Sequence, residues 1–227
     1  MSPSPEKGFP RWLNVTLASL ALVLLSPVLL VCMAAVAVSG RGGVFYRQVR
    51  AGVGGSEFVL WKLRTMVPGS DPVGVGEAVT ASDARVTAVG RILRRFSLDE
   101  LPNLFNVVSG DMAVVGPRPT LPAQVDHYTP DQLRRLEVPP GITGWAQIHG
   151  RAGIPWEERI QLDTWYVDHR SRKLDLEICL RSVPVLLGLG PSRHQAEDVF
   201  AGSDPDSPLR KAAEQERAER RSESPEG

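Results

Sequence analysis

The sequence feature that most constrains the fold is an apolar run near the N-terminus, residues 12–38. Its 27 residues would extend about 40 Å as one α-helix, more than the roughly 30 Å hydrocarbon core of a bilayer. A secretory signal peptide with cleavage near residues 34–37 is a second interpretation, although the run is longer than the usual apolar region of such a peptide. Under either interpretation this segment meets a membrane.

Ser26 and Pro27 interrupt the run near its middle and leave parts of about 14 and 11 residues. As helices these parts would reach only about 21 Å and 16 Å. Basic residues flank both ends of the run, with Lys7 and Arg11 before it and Arg41 after it. The positive-inside rule therefore favours the cytoplasmic side for both ends. A kinked re-entrant helix satisfies these facts, and a spanning helix with a proline kink remains the alternative.

A second stretch, residues 97–119, carries the candidate chemistry and reads SLDELPNLFNVVSGDMAVVGPRP. It contains the adjacent carboxylates Asp99 and Glu100 at a predicted helix start, a Gly-Asp turn, a short apolar strand and a Pro-Arg-Pro corner. Ser97 and Glu100 also have the spacing of a capping box, in which each side chain satisfies a backbone donor. Asp99 would then only complement the helix dipole. The predicted apolar face of this helix comprises Leu101, Leu104, Phe105 and Val108.

The residues just upstream predict an arginine-rich helix. Its apolar face has helical spacing and comprises Val89, Ile92, Leu93 and Phe96, with Arg91, Arg94 and Arg95 largely off that face. Cations, carboxylates and a helix N-terminus therefore meet within a few residues, which suits an anionic phosphate ligand. Because the helix dipole contributes only about 0.3–1 kcal/mol, we infer a Mg²⁺ ion between the phosphate and the carboxylates.

Residues 97–119, together with the segment GITGWAQ at 141–147 and the pair Gly150-Arg151, resemble the bacterial sugar transferases. These are monotopic phosphoglycosyl transferases that load polyprenyl phosphate with a sugar 1-phosphate. The resemblance covers about residues 11–190. It implies that Asp99 is the nucleophile, that Glu100 is a Mg²⁺ ligand, and that the membrane helix is re-entrant.

The resemblance also suggests which residues hold the substrate. A single arginine such as Arg151 is a weak signal alone, but the family context makes Arg118 and Arg151 candidates to face the phosphates of a nucleotide sugar, a task that suits the planar guanidinium. Arg94 and Lys62 complete the predicted set of cations, and Asp163 is predicted to contact the nucleotide.

Three positions depart from the usual family pattern. Asn14 stands where family members usually carry Asp, so any contact that needs that charge is in doubt. Pro139 stands where relatives often have a basic residue, and His149 where Asn is usual. The last two are expected to alter nucleotide or sugar contacts.

The remaining pattern predicts an α+β protein, a monotopic membrane protein with an N-terminal re-entrant helix and a small cytoplasmic catalytic domain of helices and short β-hairpins. Strands are predicted at 44–47 and 58–63, a surface loop at 67–81, and helices at 130–136, 155–169 and 174–189. The predicted organisation is a polar N-terminus at 1–11, the membrane helix at 12–38, the catalytic domain at 39–190 and a disordered charged tail at 191–227.

Composition narrows the classes of molecule that the protein is expected to bind. The chain has no formal net charge, but basic residues exceed acidic ones by five between positions 41 and 95, which suits anionic lipid head groups and phosphates. Nucleic acid is disfavoured because no base-reading motif accompanies these charges. The two cysteines and four histidines have neither disulfide nor zinc spacing.

The combined prediction is an enzyme of the cytoplasmic face of the inner membrane. It would use Mg²⁺ to transfer a sugar 1-phosphate from a UDP-sugar to undecaprenyl phosphate, releasing UMP, through a covalent intermediate on Asp99. Two alternatives stay open: direct transfer with Asp99 only a metal ligand, and a noncatalytic scaffold of a polysaccharide assembly complex. A homodimer is also left open by the sequence.

Overall fold

The structure, a computed structural model, describes residues 7–70, 83–149 and 156–186. Predictions for most of the N-terminus, for loop residues 71–81, for Arg151 and Pro155, and for the C-terminal tail lie outside the described residues. The described part mixes helices and short strands, as predicted. The helices are α1 (Arg11–Val38), α2 (Ala88–Arg95), α3 (Asn103–Ser109), α4 (Pro122–Val125), α5 (Pro130–Leu133), α6 (Trp145–His149), α7 (Trp156–His169) and α8 (Arg172–Leu186). The strands are β1 (Phe45–Ala51), β2 (Glu57–Leu63), β3 (Ala113–Val115) and β4 (Gly141–Thr143).

Helix α1 is long and apolar enough to cross a membrane, with a mean hydropathy of 2.7 in its most apolar window. It continues through Pro27, so the two parts expected from the sequence form one helix. Residues 23–28 are all exposed. On either side of them, Ala18 packs with Leu60 on β2, and Leu29 packs with Leu63 at the end of the same strand. Both parts of α1 therefore contact the same folded domain.

The start of α1 is tied to the domain by the side chain of Asn14, which is buried. Its Nδ2 donates to the carbonyls of Phe9 at 2.9 Å and Pro10 at 3.2 Å, and its Oδ1 accepts from the amide of Val114 at 2.8 Å. Arg11 adds hydrogen bonds to carbonyls of α3. The Asn14 side chain thus supplies two donated hydrogen bonds and one acceptor at the start of α1.

A second set of hydrogen bonds joins the residues just before α1 to α7 and α8. The Phe9 amide donates to Asp175 Oδ2 at 2.7 Å, and the Tyr166 hydroxyl donates to Asp175 Oδ1 at 2.7 Å. Burial and the neighbouring Asp175 carboxylate raise the pKa of Tyr166, so its hydroxyl keeps the proton that this bond requires. The N-terminal end of α1 is therefore held by β3, α7 and α8 together.

We expect Asn14→Leu to lower the free energy of unfolding by about 1–3 kcal/mol, because it leaves the part-buried amide of Val114 without its acceptor. Asn14→Asp keeps that acceptor but places a buried carboxylate against the carbonyls of Phe9 and Pro10, so it should also lower the free energy of unfolding. Thermal unfolding in detergent measures both. Equal midpoints for Asn14→Leu and the wild type would refute the anchoring role.

The strands form two separate pairs. β1 and β2 make the predicted hairpin, with Phe45 opposite Leu63, and β1 runs beyond its predicted end to Ala51. β3 and β4 are parallel, which corrects the expectation of hairpins alone: the connection between them contains α4 and α5, long enough for a parallel crossover. A Cβ on Gly141 would lie 2.1 Å from the Gly116 amide, so the approach of these strands requires glycine.

The predicted apolar faces of α2 and α3 are partly wrong. On α2, Leu93 is buried, but Ile92 is 60% exposed and Phe96, just beyond the helix, is 38% exposed. Helix α3 begins at Asn103, after Pro102, and its buried residues are Asn103, Asn106 and Val107. On α3, polar residues are buried because this helix lies against β2, and the free edge of that strand needs hydrogen-bonding side chains.

Helices α5, α7 and α8 lie where helices were predicted, whereas α4 and α6 were not predicted. Thr129 Oγ1 accepts from the Gln132 amide at 3.3 Å and caps α5, as its Thr-Pro sequence indicated. A 3₁₀ turn, Arg134–Leu136, continues α5 to its predicted end. Helix α7 ends at His169, as predicted, and α8 begins at Arg172, two residues before its predicted start, and contains Pro184. The predicted end of α8 at residue 189 lies outside the described residues.

Candidate active site

The candidate carboxylates lie on a 3₁₀ turn, Leu98–Glu100, that begins at an unusual backbone conformation. Ser97 has a φ of 53°, in the left-handed region, and its side chain makes no capping hydrogen bond. The capping-box alternative is therefore not formed. A non-glycine residue in this region is uncommon and costs conformational energy, and such residues cluster at functional sites. Glu100, the last residue of the turn, contacts side chains from two other parts of the chain.

Glu100 lies between two cations. Its Oε1 is 3.1 Å from Lys62 Nζ on β2 and 2.9 Å from Arg118 Nη2 in the Pro-Arg-Pro corner after β3. Only 4% of Glu100 is exposed, so the carboxylate needs such partners to offset the loss of hydration. The structure thus brings together three of the predicted site residues, from three separate elements.

These residues line a small cleft that is partly open to solvent. It is lined by Arg50, Leu60, Lys62, Glu100, Asn103, Met112, Arg118, Pro119, Gly141 and Ile142. Three of its four charged side chains are cations, so the cleft favours an anionic ligand. A nucleotide diphosphate has that character.

Two lining residues with polar side chains, Arg50 and Asn103, were not predicted. Arg50 shares a hairpin face with Lys62, because Tyr46 is opposite Lys62 and Arg50 lies two strand periods further along. Period-two alternation along β1 was the signal that could have identified it. Asn103 follows Glu100 by three residues. Its Oδ1 is buried and has no hydrogen-bond partner within the described residues, which marks it as a candidate ligand-binding atom.

The other predicted residues lie elsewhere. Asp99 is 2% exposed and is absent from the lining residues of this cleft in the described chain. Arg94 is buried on α2, where its Nε donates to Thr65 Oγ1 at 3.0 Å. Asp163 is 1% exposed and accepts a hydrogen bond from Arg135 at 2.6 Å. In this conformation Asp163 has no surface from which to contact a nucleotide.

The relative position of Lys62 and Glu100 depends on Asn106, a buried residue of α3. Its Oδ1 accepts from the Trp61 amide at 3.2 Å and its Nδ2 donates to the Val59 carbonyl at 2.7 Å. The side chain thus takes the place of a neighbouring strand along the edge of β2. This contact fixes β2, which carries Lys62, against the helix that follows Glu100.

We expect Asn106→Leu to lower the free energy of unfolding by about 1–3 kcal/mol, because it leaves the Trp61 amide and the Val59 carbonyl unsatisfied. Ser109→Ala is the control on the same helix: its exposed hydroxyl bonds Asp111 and the backbone carbonyl of Asn106 and leaves the Asn106 side chain in place, and its loss should change stability by less than about 0.5 kcal/mol. Chemical denaturation in detergent compares the two. A similar small effect for both would contradict the role assigned to Asn106.

Comparison with known proteins decides the family. The profile described as bacterial sugar transferase matches residues 6–188. The chain belongs to the bacterial sugar transferase family. This confirms the predicted family and, with it, the predicted enzyme class, a sugar-phosphate transferase.

Individual relatives support the same family assignment. An uncharacterized sugar transferase of Bacillus subtilis, EpsL, is 44% identical over 196 residues, covering 85% of this chain and 96% of that protein. A UDP-glucose:undecaprenyl-phosphate glucose-1-phosphate transferase of Caulobacter vibrioides is 44% identical over 185 residues, 78% of this chain and 69% of that protein. An Aeromonas hydrophila enzyme named for transfer of N-acetylgalactosamine phosphate to undecaprenyl phosphate is 36% identical over 83% of this chain, which spans only 46% of it.

Proposed function

We propose that this sugar transferase moves a sugar 1-phosphate from a UDP-sugar to undecaprenyl phosphate and releases UMP, as the first membrane step of exopolysaccharide or glycoconjugate synthesis. The observation that carries the proposal is the buried Glu100 between Lys62 and Arg118 in a cationic cleft, on the turn that bears Asp99. The names of the relatives from Caulobacter and Aeromonas support the donor and acceptor classes.

The proposed reaction has two steps. An Asp99 carboxylate oxygen attacks the β-phosphorus of the UDP-sugar; a bond forms between them while the bond from phosphorus to the bridging oxygen breaks, and UMP leaves with that oxygen. A phosphate oxygen of undecaprenyl phosphate then attacks the same phosphorus and releases the Asp99 carboxylate. One difficult transfer is thereby divided into two displacements.

The cations that hold Glu100 are the groups that would bind the diphosphate. Lys62 Nζ and Arg118 Nη2 both contact Glu100 Oε1, and both residues line the cleft. When a diphosphate enters, these donors can exchange part of their contact with Glu100 for phosphate oxygens. The guanidinium and ammonium then stabilise the charge that shifts to the leaving UMP.

The described residues fit a Mg²⁺ ion bound with the substrate. The described chain contains no cluster of three or more His, Cys, Asp or Glu side chains that could hold a metal, and Mg²⁺ in proteins is often held by one or two carboxylates plus substrate phosphates. Glu100 and the unsatisfied Asn103 Oδ1 are the oxygens that would hold it. When bound, the ion would offset negative charge on the transferring phosphate.

The burial of Asp99 bears on the alternative mechanism. With 2% of its surface exposed, Asp99 reaches a phosphorus only if the Ser97–Glu100 turn shifts when substrate enters, and the left-handed Ser97 is the residue at which such a shift would relieve strain. In direct transfer to the lipid phosphate, Asp99 would bind only the metal and form no bond to phosphorus. Trapping the covalent intermediate separates the two mechanisms.

For the wild type in nanodiscs with undecaprenyl phosphate and Mg²⁺, we expect UMP release from one or more members of a panel of UDP-glucose, UDP-galactose and UDP-N-acetylgalactosamine. Asp99→Asn should lower the rate by at least about 10³-fold, because removal of a nucleophile abolishes the covalent route. Glu100→Gln and EDTA should also abolish release, and added Mg²⁺ should reverse the effect of EDTA.

The outcomes are distinguishable. Mass spectrometry of the wild type with UDP-sugar and no lipid should find a phosphosugar on Asp99, and retention of a substantial rate by Asp99→Asn would exclude the covalent mechanism. Absence of UMP release with every sugar would point instead to a noncatalytic scaffold. Ser109→Ala, an exposed change on α3, is the control for handling and reconstitution.

We further propose that α1 is re-entrant, with both ends on the cytoplasmic side of the membrane. The support is that both ends of α1 contact one domain while residues 23–28 between them are exposed and apolar apart from Ser26 and Pro27. A straight spanning helix would place its two ends on opposite sides of the bilayer. The same domain would then have to extend along the whole hydrocarbon core.

Single-cysteine labelling tests this arrangement. In a Cys32→Ala, Cys179→Ala background, Lys7→Cys and Gly43→Cys place one thiol before α1 and one after it, both at exposed positions. We expect a membrane-impermeant maleimide to label neither in intact spheroplasts and both after permeabilisation. Labelling of one of the two in intact spheroplasts would establish a spanning helix.

A further inference from the structure

The backbone of the Pro-Arg-Pro corner is held by its carbonyl groups. Prolines at 117 and 119 have no amide hydrogen, so the corner can be fixed only through acceptors at those positions. Four consecutive carbonyls are bonded: Pro117 to the Gly141 amide at 2.8 Å, Arg118 to Arg135 Nη2 at 3.0 Å, Pro119 to Arg50 Nη1 at 3.0 Å, and Thr120 to the Ala51 amide at 2.9 Å. Only the contact to Arg118 comes from a group outside the cleft and its two strand pairs.

The group that bonds the Arg118 carbonyl is the side chain of Arg135, one of the most deeply buried in the described chain. Arg135 is 2% exposed, and its Nη2 donates both to the Arg118 carbonyl and to Asp163 Oδ2 at 2.6 Å. Its Nη1 donates to the Tyr128 hydroxyl at 2.7 Å. The guanidinium also lies 5.4 Å from the centre of the Trp156 ring. Polar and aromatic partners therefore hold it from several directions.

The charge of Arg135 is maintained by Asp163. Burial alone would lower the pKa of this guanidinium, but the adjacent Asp163 carboxylate raises the pKa above its ordinary value. A buried ion pair is seldom the most stable solution, because an apolar pair of similar volume avoids the desolvation cost. A lysine could neutralise Asp163 equally well, but only the planar fork of arginine donates along several fixed directions. The geometry of the donors therefore matters more here than the charge.

We propose that Arg135 and Asp163 are positioning residues that fix the backbone of Arg118 and, through it, the guanidinium that contacts Glu100 and the donor diphosphate. Asp163 orients Arg135, Arg135 holds the Arg118 carbonyl, and the Arg118 side chain reaches Glu100 at 2.9 Å. The inference rests on the proposed function for its kinetic consequence. It gives Asp163 a role in substrate binding without contact to the substrate.

The decisive variant is Arg135→Lys, which keeps a cation beside Asp163 and removes the fork that also reaches Arg118. We expect the KM for the UDP-sugar to rise at least about tenfold, since small misplacements of a positioned group are costly, with assays run well below the unfolding temperature. Asp163→Asn, which keeps an acceptor for Arg135, should show the same change to a smaller extent.

The matched control joins the same two elements at the surface. Arg134, in the same 3₁₀ turn, pairs with Asp168 on α7 at an exposed position. Arg134→Met should leave the KM within twofold of the wild type. An equal rise in KM for Arg134→Met and Arg135→Lys would overturn the proposal, because loss of any contact between the turn and α7 would then suffice.

A double-mutant comparison distinguishes positioning from general destabilisation. If Arg135 acts through the Arg118 guanidinium, then Arg135→Lys should change the KM less than twofold in an Arg118→Met background, which lacks the side chain that the corner positions. Equal fold-changes in the two backgrounds would show that Arg135 acts independently of Arg118 and would refute the proposal.

Hydrogen exchange provides a readout without substrate. Arg135→Lys should speed exchange in peptides that contain the amides of Ala51 and Gly141, which bond the corner on either side of Arg118, whereas Arg134→Met should not. Unchanged exchange in Arg135→Lys would overturn the positioning role. If the wild type turns over no UDP-sugar, the proposed function fails, while the exchange result still decides whether Arg135 holds the corner.

Discussion

The contact on which the site depends is the buried carboxylate of Glu100 with two cations on one of its oxygens. A carboxylate with 4% exposure has lost most of its hydration, and its contacts with the two cations offset that loss. Lys62 comes from a strand and Arg118 from a corner between two prolines. Three elements that are distant in sequence must therefore be held in register, and much of the domain serves that requirement.

The register is maintained by polar side chains that take the place of regular secondary structure. The strands of the described residues form two pairs, one of them between strands of three residues, so backbone ladders cannot fix every element. Asn106 bonds the free edge of β2. Asn14, in the first turn of α1, accepts from the Val114 amide on β3, and Arg135 donates to the carbonyl of Arg118. Each such side chain replaces contacts that a longer strand would supply, and each is buried, so its loss leaves unsatisfied backbone groups.

The membrane helix is part of this architecture. Its first turns contact α3 and β3, and its last turns pack on Leu63, the neighbour of Lys62, and on Leu93, the neighbour of Arg94. Movement of α1 relative to the domain would therefore disturb the strand that carries Lys62. A lipid substrate that reaches the site from the bilayer would meet a cleft whose position relative to α1 is fixed by these contacts.

The sequence by itself determined the elements whose signals are local. The apolar run predicted α1, the alternating residues around Gly52 predicted the hairpin, Thr129-Pro130 predicted a capped helix, and the long motif around Asp99 and Glu100 predicted the family. Only the tertiary structure decided what these residues touch. Whether Ser97 caps a helix, whether Ile92 and Phe105 are buried, and whether Asp163 faces a cleft or Arg135 all depend on which surface packs against each element. The role of Arg50 depends equally on the register of a strand pair. Such long-range contacts leave no periodic trace in the chain, because a side chain's partner lies on another element.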